Sequence, residues 1–270
     1  MPQPKLRPRN ELVLRALRPN CGLEADYRRR LCALTEQMHR SVGYWVKAAY
    51  RENEPVMAQD RSPAEELRMA VRALARGWLS RFDLMSRQLA AYFAKRVRDR
   101  TDANLRSILR KGGIAVKFKM TPAMRDVLDA TTTANVNLIK SIPQRYLGAV
   151  EGMVMRSVQT GRDIAGLTQE LEQAYGVTRR RAALIAKHQN NMATASMQRV
   201  RQTEMGIKEA VWLHSHGGQT PRRTHIANHG KRYNIELGWF DPDPKVRKRI
   251  WPGELINCRC VQKSVVPGFT

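Results

Sequence analysis

Residues 204–216, EMGIKEAVWLHSH, mark a change of texture in the chain. Before them, apolar residues recur every three or four positions, the spacing of helices. After them come short extended pieces, tight Gly/Pro turns and most of the histidines. Long helices followed by such a segment predict an α+β protein: a mainly helical N-terminal region, then a small α+β end-domain with short strands beginning near residue 205. The domain reading is a basic tail over 1–22, a helical region over 23–204 and the end-domain over 205–270.

Working toward the N-terminus, 24–50 place Tyr27, Leu31, Leu34, Met38, Val42 and Trp45 on one helix face. A polar link follows, with Ser62 as an N-cap and Pro63 at the first helical position. The next helix aligns Leu67, Val71, Leu74, Trp78, Phe82, Met85, Leu89, Tyr92 and Val97, with arginines on its other side. At 111–122, KGGIAVKFKMTP, a Gly-Gly turn leads into alternating Ile114, Val116 and Phe118, a short strand or an extended arm. It lacks the Gly-Lys-Ser/Thr ending of a phosphate loop. From Pro122 to Arg201 the pattern is helical, punctuated at Pro143, Gly161 and Gly176.

The chain has 270 residues and a net charge of +24, from 48 Lys and Arg against 24 Asp and Glu. This excess favours a polyanionic partner, and residues 61–120 are strongly basic. Arg72, Arg76, Arg87 and Lys95 are the expected phosphate-contacting residues. No zinc-finger spacing, zipper heptads or aromatic ribonucleoprotein motif supports base-specific readout. No apolar run is long enough to span a membrane, and the N-terminus lacks the apolar core of a signal peptide, so a soluble intracellular protein is expected. Four cysteines in a chain this long do not make a disulfide framework. Cys21 and Cys32 read as packing residues.

Chemistry concentrates in the end-domain. In 220–231, TPRRTHIANHGK, His225 and His229 are four apart, so one helical turn projects both imidazoles to the same side, with Gly230 as its C-terminal cap. In 257–266, NCRCVQKSVV, strand alternation places Cys258 and Cys260 on one face and Arg259 on the other. Two imidazoles and two thiolates suit a tetrahedral zinc site. The alternative is a packed, metal-free cluster. Glu236, Asp241, Asp243 and Glu254 show no paired placement around a histidine. His214 and His216, alternating after Trp212, read as surface or packing residues, and His39 and His188 receive no role. Trp212, Trp239 and Trp251 are expected to fill the small core.

The order RAALIAKHQNN (181–191), GIKEAVWLHS (206–215), PRRTHIANHGKRY (221–233), Trp239 and PGELINCRC (252–260) resembles the bacteriophage minor head proteins of the Mu F-like type, within the phage head morphogenesis family. ANVNLIKSIPQRYLGAVEGMV (134–154) is similar to the helix preceding this domain in those proteins, so the likeness covers most of residues 100–265. The motif residues are Arg222, Gly230, Trp239, Pro252, Gly253, Asn257 and Arg259 with the four His and Cys above. The resemblance implies a structural, non-enzymatic head protein that works in the host cytoplasm during assembly and then in the virion. Its implied partners are the portal, other head components and packaged DNA, not membrane. Relatives in the wider family bear a Cys-x-x-Cys pair before the Gly turn and a His shortly before Asn-Cys-Arg-Cys, a pattern like a metal knuckle. Here His225 stands for the second cysteine, no thiol stands near Arg222 for the first, and Leu255 replaces the downstream His. The competing expectation is a metal-dependent nuclease or toxin-like enzyme using the same His/Cys residues.

Overall fold

The computed structural model describes residues 11–52, 63–161, 163–217 and 220–267. Residues 1–10 of the basic tail and the Ser62 cap lie outside them. The element order is β1 (Glu11–Val13), α1 (Cys21–Glu52), α2 (Pro63–Lys111), α3 (Pro122–Gln159), α4 (Ile164–Glu204), β2 (Glu209–Leu213), α5 (Arg223–Ala227), β3 (Arg232–Asn234), β4 (Trp239–Asp241), β5 (Lys248–Ile250) and β6 (Val261–Pro267). The α+β reading holds: four long helices precede a small antiparallel sheet region.

The chain forms two compact units, and α2, α3 and α4 each contribute to both. The first comprises Glu24–Phe93 and Thr132–Lys187 and is a helical bundle. Tyr27 stacks on Phe93, with ring centroids 4.2 Å apart, and Trp78 Nε1–H donates to Ser41 Oγ at 3.1 Å, so α1 and α2 run antiparallel. Tyr27 also donates to Asn135 Oδ1 at 2.9 Å and Tyr50 to the Val154 carbonyl at 3.3 Å, so α1 and α3 run parallel. The expected α1 stripe is buried except at its end. Trp45 is 56% exposed, and Val46 takes the inward position. The heptad-like drift of a straight helix accounts for that shift, since a 3.6-residue period moves the buried face by one position over several turns.

Neither Pro143 nor Gly176 ends a helix. α3 runs through the first and α4 through the second, and the break falls at Gly161, whose φ is +87°. Pro143 forfeits one backbone hydrogen bond, but the surrounding Ile142, Tyr146 and Leu147 are buried, and their burial outweighs that loss.

The second unit comprises the described residues up to Leu23, Ala94–Thr131 and the chain from His188. Its sheet has the order β1-β6-β2-β3, antiparallel throughout, while β4 and β5 form a separate antiparallel pair. β1 arises within the expected tail, where Glu11–Val13 pair with Val265–Pro267. In β2, Ala210 and Trp212 point inward and their neighbours outward, the alternation a one-sided sheet requires. Trp212 is fully buried, and half-buried Trp239 and Trp251 pack on its cluster. Residues 114–118 form an extended arm with no strand partner among the described residues. Ile114, Val116 and Phe118 alternate inward and pack on Leu14, Leu17, Leu105 and Leu109. Cys21 is exposed at the start of α1 and Cys32 half-buried, so the packing reading fails for Cys21.

Candidate metal centre

Three features position the centre. β2 ends at Leu213 with Trp212 at its inner face. The single turn α5 then carries His225, and Trp212 meets that ring edge-on at 5.2 Å. Finally, the chain returns through a turn at Pro252 and Gly253 and a left-handed Asn257, whose φ is +62°, before entering β6. Cys258 and Cys260 precede β6 instead of lying within it. The Cys258 N–H donates to the Leu255 carbonyl at 2.8 Å, and Asn191 Nδ2–H to the Cys258 carbonyl at 3.0 Å. Turn and side-chain partners, not a strand ladder, therefore hold the segment, yet both thiols still turn inward and Arg259 outward.

His225, Cys258 and Cys260 are all buried, and their ligand atoms lie within 4.8 Å of one another. His225 Nδ1 stands 3.4 Å from Cys258 Sγ and 3.6 Å from Cys260 Sγ. Two ligands on a tetrahedral zinc ion, at ordinary Zn–N and Zn–S lengths, stand about 3.6 Å apart. The other ring nitrogen, Nε2, makes no hydrogen bond but faces Asp241 Oδ2 at 3.5 Å. Asp241 is fully buried and is oriented by Thr224 Oγ1–H at 3.2 Å and the Asp243 N–H at 3.0 Å. A carboxylate behind a histidine fixes its tautomer and raises its basicity as a ligand. Asp241 thus does pair with a histidine, contrary to the expectation for the acids. The contact joins residues 16 apart in sequence, through the β4 strand, and no spacing rule marks it.

The two thiols divide one charge. A hydrogen bond from Cys260 holds Cys258 well below the ordinary thiol range, against its burial, with His225 and the Cys260 backbone adding support; the Gly253 N–H also donates to Cys258 Sγ at 3.4 Å. The same contact with Cys258, together with burial, pushes Cys260 up. Two buried thiolates side by side require a cation, and a bound divalent metal would deprotonate both.

His229 does not join them. α5 ends at Ala227 with Asn228 as C-cap, the His229 N–H returns to the Ile226 carbonyl at 3.0 Å, and the i, i+4 geometry of a continuing helix is lost. His229 is exposed and accepts at Nδ1 from the His214 N–H at 3.1 Å. Gly230, with φ +80°, turns the chain two residues beyond the cap, and its N–H donates to the Trp212 carbonyl at 2.8 Å. Arg222 is the N-cap residue of α5 and reaches the Ile256 carbonyl at 3.1 Å, tying the histidine turn to the cysteine loop. His214 and His216 lie past the end of β2, and the His216 N–H donates to His214 Nδ1 at 3.1 Å. Buried His214 lines the same cavity of about 790 Å³ as His225 and both cysteines, with Arg222 and Arg259 on its walls. Burial lowers the His214 pKa, so it presents a neutral imidazole there. His188 Nδ1 is buried with no hydrogen-bond partner among the described residues, and burial lowers its pKa against an opposing effect of Cys258.

The expected phosphate-contacting residues of α2 are exposed, but two are engaged. Arg72 Nε donates to Glu151 at 2.8 Å, and Arg87 stands 3.5 Å from Asp83. Arg76 and Lys95 lie on the exposed face.

Comparison with known proteins locates this centre in a recognised segment. Residues 149–263 match the family described as Phage Mu protein F like protein. An uncharacterized protein of Haemophilus influenzae is 28% identical over 193 residues, which are 72% of this chain and 39% of that relative. The chain thus spans well under half of that protein's length. No solved structure matches the chain.

Proposed function

From the match of residues 149–263 to the Phage Mu protein F like family, we propose that the protein is a structural minor head protein of a tailed bacteriophage. In this reading it acts in procapsid assembly beside the portal, in the host cytoplasm, and stays in the virion in sequence-independent contact with packaged DNA. The observation that carries the reading is the family match over the segment whose buried His225, Cys258 and Cys260 fasten α5 to the start of β6. That arrangement serves architecture. Exposed apolar side chains support docking on a large partner: Tyr44 and Trp45 pack edge to face at 5.2 Å on α1, and Leu84 is exposed on α2. Among the described residues no helix is long and apolar enough to cross a membrane. The test is co-expression with the cognate portal and capsid proteins followed by sedimentation. The protein should travel with procapsids, and a chain found only in the free fraction overturns the proposal.

The residues fit zinc. His225 Nδ1 and the two thiolates would hold the ion, Asp241 would orient His225 from behind, and the ion would supply the charge that both thiolates need. His214, not His229, shares the cavity from which a fourth ligand would come. One observation favours a second reading, a metal-dependent nuclease: among the described residues three protein ligand atoms converge, not four, beside a cavity walled by Arg222 and Arg259. Metal-dependent cleavage of DNA, abolished in a folded His225→Ala variant, would establish it. Absence of cleavage by the metal-loaded protein leaves the structural role.

A further inference from the structure

A second basic surface stands in the helical bundle, between α1 and α4. α1 residues 25, 28, 29, 32, 33 and 36 share one helix face, as do α4 residues 176, 179, 180 and 183. Together they enclose a groove of about 850 Å³. Its walls carry four guanidinium groups, from Arg28, Arg29, Arg179 and Arg180. Ala33, Gly176 and Ala183 leave space between them.

These charges are weakly compensated. Arg29 is held by Asp26 at 2.6 Å, and Asp26 also accepts from Arg30. Glu36, the acid of the groove, is engaged by Arg40. Arg28, Arg179 and Arg180 pair with no carboxylate among the described residues. Three exposed guanidinium groups around one concavity repel one another unless an anion occupies it, and each can bind a phosphate through two parallel hydrogen bonds. Among the described residues no aromatic, Asn or Gln side chain lines the groove, so neither base stacking nor reading of base edges is provided for.

We propose that this groove between α1 and α4 binds the phosphodiester backbone of DNA and carries more of the protein's phosphate contact than Arg72, Arg76, Arg87 and Lys95. The inference rests on the reading that the protein touches DNA, and it names where.

The test uses the full chain and a fluorescein-labelled, random-sequence DNA duplex, titrated at several salt concentrations. Each phosphate contact contributes about 0.9 to the slope of log affinity against log salt. The combined Arg28→Glu, Arg179→Glu, Arg180→Glu variant should lose at least about tenfold in affinity at low salt and flatten the slope by about 2 to 3. The matching reversal of Arg72, Arg76, Arg87 and Lys95 should change it less. If the groove variant misfolds by circular dichroism, the Arg→Gln version at the same three positions should still flatten the slope. A groove variant with the wild-type slope, beside an α2 variant that loses it, overturns the proposal. So does a groove variant that keeps DNA binding but loses binding to polyglutamate, which would assign the groove to an acidic protein segment. If the wild-type protein binds the duplex without salt dependence, the DNA reading itself fails, whatever the sedimentation with procapsids shows.

Discussion

At Gly253 the backbone has φ +86°, and a Cβ there would meet the Ala195 side chain at 3.0 Å and the Asn191 carbonyl at 3.3 Å. Both objections, left-handed geometry and close approach, come from the turn that delivers Cys258 and Cys260. Gly253→Ala should therefore destabilise the protein by about 1–3 kcal/mol, read as a lower denaturation midpoint. The cysteines predict a compositional result. Purified protein should carry about one zinc per chain, and Cys258→Ser or Cys260→Ser should lose it by elemental analysis. His229→Ala should keep the metal, since His229 faces away to the His214 backbone. Retention of full zinc in both cysteine variants would leave the cluster as packing alone. At this scale the residue types and the final turn were legible: Cys258, Cys260 and His225 do converge. His229 lies two residues past the end of α5 at Ala227, so the i, i+4 spacing does not place it beside His225.

Among the elements, the end of α4 is a junction. Arg201, 2% exposed at its side chain, donates to both carboxylate oxygens of Asp102 on α2 at 2.8 Å, to Glu204 at 2.9 Å and to the Lys119 carbonyl at 2.8 Å. Its guanidinium also lies over the Phe118 ring at 4.8 Å, so one side chain clamps α2, α4 and the extended arm. Asp102→Ala leaves that charge buried and half-paired, and should cost about 3–5 kcal/mol by denaturant titration. A loss within ordinary surface scatter, about 0.5 kcal/mol, would show that Glu204 and Lys119 suffice. Next to it, Gln202 donates to Ser264 Oγ at 2.6 Å and accepts from Gln262 Nε2 at 2.7 Å, fastening β6 to α4 through a buried polar network. Periodicity revealed the helices, because their apolar faces repeat over many turns. It did not reveal these contacts, because Asp102 and Arg201 are 99 residues apart and read singly as surface charges.

For the molecule as a whole, the two units should respond differently to chelator. The candidate ligands His225, Cys258 and Cys260, and His214 beside them, all lie in the sheet-bearing unit, so removing zinc should lower the melting transition of that unit and leave the bundle's transition in place. A single unchanged transition by calorimetry would contradict a metal-held end region. The amino-acid sequence by itself determined the helical stripes, the change of texture near residue 205, the net charge and the residue types of the candidate metal centre, because each is a local or summed property of the chain. Only the tertiary structure decided which groups meet. It paired Asp241 with His225, turned His229 away, drew β1 out of the tail onto β6, and tied Arg72 and Arg87 to carboxylates while setting Arg28, Arg179 and Arg180 around one groove. These outcomes depend on where helix ends and turns point side chains from distant parts of the chain, and short-range periodicity carries no record of that.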